Sequence, residues 1–222
     1  MAKRTLLSWS SGKDSAWALH LLRQDPAVDV AGLFTVVTER QGRAAMHATR
    51  MELLHCQANA AGLPLRTLAL PDPCPEARSE EVMGRFIGEC VAEGVECIAF
   101  GDLFLEEIRR YREAQLRGSG IEPLFPLWGM PTGELAETML GAGLEAYVSS
   151  VDLGRLPLGV CGRRWTRKLI AGLPPGSDAC GENGETHTIV TGGPMFRHAI
   201  PVRVGEVVAR DGFAHADIIP IA

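Results

Sequence analysis

The alternation of two hydrophobic periodicities along the first hundred residues restricts the fold more than any other feature of this chain. Thr5, Leu6, Leu7, Ser8 and Trp9 form a short apolar segment, and within 14–24 the apolar residues Ala18, Leu21 and Leu22 recur at helical spacing. Residues 28–37 (VDVAGLFTVV) form a continuous, mostly apolar stretch rich in β-branched side chains, which predicts a strand buried on both faces, as in parallel sheets. Met51, Leu54, Ala58 and Ala61 return to helical spacing and stop at Gly62. A strand at 65–70, a helical stripe at Met83, Phe86, Ile87 and Cys90, and a strand at 95–100 follow. Strand and helix in strict succession predict βαβ units, that is, a doubly wound parallel α/β sheet.

Beyond Gly101 the rhythm loosens. A charged helix is expected at about 104–117, a short strand at 121–124, a helix at 134–140 and a strand at 145–151. Residues 174–194 (PPGSDACGENGETHTIVTGGP) are dense in turn formers, and β-type segments follow at 199–204 and 206–209. At 222 residues the chain amounts to about one and a half domains of roughly 150 residues. The expected division is a parallel-sheet domain over 1–125 and a smaller C-terminal α+β subdomain over 126–222.

Composition narrows the function classes. With 46% hydrophobic and 22% charged residues and no apolar run long enough to cross a bilayer, neither a membrane-spanning nor a disordered chain is expected. A net charge of −5 argues against a protein that works by coating nucleic acid. The opening ten residues reach Ser10 before any apolar h-region develops, so no signal peptide is read. The six cysteines have no CxxC spacing, as expected for reduced thiols in the cytoplasm. Without HExxH, HxE or CxxC spacing and without GxSxG, neither metal-centred catalysis nor a serine hydrolase is supported. A homodimer is only the default expectation.

The chemistry concentrates at the first strand-to-helix turn, residues 8–15 (SWSSGKDS). Free N–H groups and the positive end of the helix dipole make such a turn an anion site. Gly12 admits close backbone approach, Lys13 adds a positive charge, and the hydroxyls of Ser10, Ser11 and Ser15 can donate to phosphate oxygens. It is not a Walker A loop, because Asp14 follows the lysine where that pattern needs a hydroxyl. A plain Ser/Gly turn capping a helix is the competing reading.

Residues 10–15 (SSGKDS) resemble the PP-loop of the ATP pyrophosphatase superfamily, which cleaves ATP between its α and β phosphates. Further strings resemble one family within it, the diphthine-ammonia ligases: Met46 and His47 with Arg50, Gly101-Asp102, Pro126-Leu127-Trp128, and residues 180–188 (CGENGETHT). Two positions depart from the pattern: Ser11 replaces a glycine, and Thr186 stands where an aromatic is common. The resemblance implies a Rossmann-like fold of the adenine nucleotide alpha hydrolase (HUP) type. It also implies a reaction in which a substrate carboxylate attacks the α-phosphate of ATP, pyrophosphate leaves, and ammonia converts the acyl-adenylate to an amide. The acceptor would be diphthine on a protein or an unrelated small carboxylate.

On that resemblance, ATP would contact Ser8, Trp9, Ser10, Ser11, Gly12, Lys13, Asp14, Ser15, His47, Gly101 and Asp102, with the main chain at Thr35 and Val36 reading adenine at the carboxyl edge of the sheet. Asp14 and Asp102 are the candidates for Mg²⁺. Lys13, Asp14, Glu182 and Glu185 are the candidate catalytic groups, and Glu182, Asn183, Glu185, His187 and Thr188 would face the acceptor and ammonia. Bland readings stand beside these: Asp14 as a first-turn carboxylate favouring the helix dipole, His47 as a helix-start residue, and the 182–188 segment as an exposed charged turn. The basic run Arg163, Arg164, Arg167 and Lys168 reads as the solvated face of a helix whose Trp165 and Leu169 point inward. Two other functions remain open: a tRNA-modifying relative with an RNA surface, and an ATP-binding sensor without turnover.

Overall fold

The computed structural model describes residues 1–38, 43–44, 49–71 and 73–221. The first region runs β1 (Lys3–Ser8), α1 (Lys13–Leu22), β2 (Val28–Thr38), β3 (Arg43–Ala44), α2 (Met51–Ala61), β4 (Leu65–Leu70), α3 (Glu76–Ala92), β5 (Cys97–Ala99), α4 (Glu106–Leu116) and β6 (Glu122–Leu124). Five strands pair in parallel in the order β4-β2-β1-β5-β6, and the short β3 adds antiparallel to the end of β2. This is the doubly wound arrangement that strict alternation predicts. Successive side chains of each strand enter opposite layers: Leu7 and Leu33 join the core under α1 and α2, while Leu6, Phe34 and Ile98 pack with Phe86, Ile87 and Cys90 of α3. Covered on both faces, β1, β2 and β5 are buried along their middles, hence their largely apolar runs. Strand order reverses between β1 and β5, so the crevice above their carboxyl ends is the topological switch point where such folds bind ligands.

The second region contains α5 (Thr132–Gly141), β7 (Glu145–Asp152), α6 (Arg167–Ala171), β8 (Thr186–Gly192), β9 (Val202–Arg210) and β10 (Phe213–Pro220). Its strands form a separate antiparallel sheet in the order β8-β7-β10-β9. Two expectations are corrected here, and one strand is added. The turn-rich segment at 174–194 ends in the buried strand β8; the two β segments at 199–209 are one strand, its register shifted near Gly205 opposite Asp217; and β10 carried no sequence signal. The basic run is not one helical face, because α6 starts only at Arg167, although Trp165 and Leu169 do point into the core.

Edge strand β8 meets the turn after β1. The Val190 N–H donates to the Ser11 carbonyl at 2.9 Å, and Gln57 of α2 donates its amide to both the Ser11 and Val190 carbonyls. Gln57 in turn accepts from the Trp9 indole at 2.9 Å. The antiparallel sheet is thereby fastened to the turn after β1 of the parallel one. Among the described residues no helix is long and apolar enough to cross a membrane.

Candidate functional site

The turn after β1 is built without the glycine its pattern calls for. Ser11 adopts φ +70°, a conformation that strains most L-residues. Its buried hydroxyl is held 2.7 Å from that of Thr49. Gly12 then starts α1 in extended backbone, and a Cβ there would stand 3.2 Å from the Thr188 carbonyl oxygen. The Lys13 N–H donates to the Thr188 hydroxyl at 3.2 Å, and the Ser10 and Ser15 hydroxyls lie 3.0 Å apart. Trp9 contributes backbone, since its ring is buried in the core.

On the other side of the switch point, Gly101 follows β5 so tightly that a Cβ would stand 2.9 Å from the Ser15 nitrogen and 3.0 Å from the Asp14 carbonyl carbon. Both are backbone atoms that cannot swing away. Gly101→Ala is expected to cost about 1–3 kcal/mol and lower Tm by several degrees. An unchanged melting curve would show that β5 and α1 have slack the packing does not suggest.

Lys13 is buried, and its ammonium donates to Asp14 Oδ2 at 2.9 Å and to the Cys180 carbonyl, with the Trp165 ring centroid 5.5 Å away. Burial is the largest single influence and disfavours the charge, but Asp14, Cys180 and Glu182 together outweigh it and hold the Lys13 pKa above its ordinary value. Burial likewise raises Asp14 above the usual carboxylate range, against the pull of Lys13. The side chain of Asp14 keeps 23% of its surface open to solvent, which favours an ionised pair.

Three carboxyls share this field. Asp14 Oδ1 and Asp102 Oδ2 are buried without a hydrogen bond, and burial raises the Asp102 pKa as well. Glu182 accepts the Leu103 N–H at 2.8 Å, and burial, reinforced by Asp14 and Asp102, pushes its pKa up to about 7. The sequence-predicted Lys13, Asp14, Asp102 and Glu182 are therefore brought together across two regions of the chain.

Glu185 is turned elsewhere. Its Oε1 accepts from the Asp178 N–H at 3.2 Å and from the Asn183 amide at 3.3 Å, with Arg155 Nη1 at 3.9 Å. Asp178 accepts the Glu182 N–H at 2.8 Å, so the 178–185 loop is braced internally and Glu182 is the carboxyl it delivers to Lys13. Asn183 is exposed. Burial, with Lys13 and His215 nearby, pushes His187 down to about 4, so it is a neutral imidazole at physiological pH. Burial also drives the Cys180 thiol up to about 12, which leaves it no nucleophilic role. His47 lies outside the described residues. Arg50 is engaged with Asp217 of β10 through two hydrogen bonds, of 2.8 and 2.6 Å.

Beside the turn a cavity of about 240 Å³ opens between the sheet edge and helices α3 and α4. Ser8, Ser10, Thr35 and Val36 line one side, Phe100 and Arg112 another. Sequence reasoning missed Gln57, Thr49 and Arg112. Gln57 left a trace, as a polar residue in the apolar stripe between Leu54 and Ala58. Among the described residues no three His, Cys, Asp or Glu side chains form a metal-holding group. Two carboxylates with unsatisfied oxygens nonetheless suit Mg²⁺, which takes few protein ligands beside phosphate and water.

No curated protein matches the chain. The family model for the diphthamide synthase N-terminal domain matches residues 3–123, and that for the diphthamide synthase C-terminal domain matches residues 131–217. The first match spans the parallel sheet and the turn at Lys13, the second the antiparallel sheet and the loop that carries Glu182, so the chain belongs to the diphthamide synthase family of PP-loop ATPases.

Proposed function

We propose that the protein is an ATP-dependent amide ligase: it adenylates a substrate carboxylate, releases pyrophosphate and directs ammonia onto the acyl-adenylate. The observation that carries this reading is the convergence of Lys13 and Asp14 from the first turn with Glu182 from the C-terminal loop, beside a cavity at the switch point. Phosphoryl transfer of this kind asks the protein for position and charge rather than for a covalent nucleophile. Lys13 and the α1 amides suit the departing pyrophosphate. The apolar cavity, with the Thr35 and Val36 main chain at its wall, suits adenine. Mg²⁺, where bound, supplies charge that offsets the phosphates, and Asp14 and Asp102 are the groups that would hold it.

Glu182, with a pKa of about 7, is matched to take a proton from ammonium or from the attacking nitrogen at neutral pH. Glu185, in this reading, shapes the loop and acts through Glu182, while neutral His187 and Thr188 complete the wall toward the acceptor. Residues 1–125 handle nucleotide and 126–222 handle the acceptor, a carboxylate borne on protein diphthine or on a small molecule. The free thiols fit a cytoplasmic setting. Incubation with ATP, Mg²⁺, ammonium and acceptor should yield AMP and pyrophosphate, with one carboxylate oxygen transferred to AMP. Formation of ADP and orthophosphate alone would overturn the reading.

A further inference from the structure

Helix α4 carries its charges mostly as surface pairs one turn apart: Arg110 with Glu106, and Arg109 with Glu113. Arg112 breaks this pattern. Four residues on either side of it stand Ile108 and Leu116, and its side chain is 26% exposed where that of Arg110 is 74% exposed. The guanidinium lies over the Phe100 ring, 5.1 Å from its centroid. Its Nε stands 3.6 Å from Asp102 Oδ2, in ion-pair range but beyond a hydrogen bond, and neither buried atom has a hydrogen-bond partner.

Leaving a buried guanidinium nitrogen unsatisfied is costly, and such a group gains most when an anion with several acceptor oxygens enters. Its position says which anion. Arg112 lines the same cavity as Ser8, Ser10, Thr35 and Val36, and its counterion Asp102 lies in the field of Asp14. A nucleotide with its base in the cavity and its outer phosphates on the turn at Lys13 must pass its first phosphate between these groups. We propose that Arg112 binds the α-phosphate of the nucleotide, exchanging its loose contact with Asp102 for hydrogen bonds to the phosphate oxygens. The planar fork suits this better than an ammonium would. The α-phosphorus is where the carboxylate attacks in the function proposed above, on which this inference rests, so Arg112 would also meet the charge that builds there.

The test compares adenosine, AMP and ATP binding to wild type, Arg112→Gln and Arg112→Lys by calorimetry without metal. AMP and ATP should bind Arg112→Gln about 10- to 100-fold more weakly, and adenosine within about twofold of wild type; Arg112→Lys should fall between, since it keeps a charge beside Asp102 without the fork. A role confined to packing over Phe100 would weaken adenosine as much as AMP, and that result, or unchanged AMP binding in both variants, overturns the proposal. Wild type that binds none of the three would instead bring down the nucleotide-site reading itself.

Discussion

Lys13→Met should abolish pyrophosphate release, with a loss in kcat/KM of about 10³-fold or more, because a preorganised charge facing a leaving group in a water-poor site has no substitute there. The side chain is long enough to fill the same buried channel, so the loss reports charge rather than a hole. Stability should fall as well. Asp14 loses the cation 2.9 Å from it, and the Cys180 carbonyl loses its donor. Breaking one half of a buried pair costs several kcal/mol; the solvent access of Asp14 reduces this to about 1–3 kcal/mol.

The double variant Lys13→Met/Asp14→Asn separates the two effects. With no orphaned carboxylate, it should recover most of the stability in chemical denaturation and none of the turnover. Recovery of activity along with stability would mean that Lys13 serves only to hold the 178–185 loop against α1.

The reach of the sequence differs between the two halves for a physical reason. Strand β2 was legible because helices cover both of its faces along its buried middle, which leaves a largely apolar run rich in β-branched residues; helix α2 was legible because Gly62 stops it with φ +66°. Strand β8 was hidden because its polar residues are satisfied by a distant segment. Thr188 meets the Lys13 N–H, and Val190 pairs with Ser11, so Thr186–Gly192 reads as turn-rich until the turn after β1 is placed beside it.

The same distinction separates the two glutamates. Three residues apart in one Gly-flanked string, they look equivalent. Asp178 and Asn183 draw Glu185 inward, while the Leu103 N–H draws Glu182 out toward Asp14 and Asp102. Arg112 was illegible because the sequence EEIRRYREAQL shows only that Ile108 and Leu116, rather than glutamates, stand four residues to either side of it; the Phe100 ring and Asp102 that it meets lie outside the helix.

Glu182→Gln should lower the rate of amide formation about 10²- to 10⁴-fold at neutral pH, the range expected when a general base is removed. The substitution is nearly isosteric and keeps an acceptor for the Leu103 N–H, so the loop should stay in place. The pH profile carries the discriminating information. On the proposed function the ionised carboxylate is the active form, so the rate should climb as pH rises through about 7. That limb should vanish in the variant, while the rise due to free ammonia at higher pH remains.

Stability supplies an independent check with a defined sign. The folded-state pKa of Glu182 lies above its ordinary value of 4.5, so its favourable contribution is fully present below pH 4.5 and is lost as pH rises through about 7. Glu182→Gln should therefore gain on wild type between pH 4 and pH 8, by on the order of 1 kcal/mol after allowance for partial solvent access. A variant that lost activity while wild type kept a flat rate from pH 6 to 8 would leave Glu182 a positioning group and move the base elsewhere, with neutral His187, which feels the charge of Lys13, as a candidate.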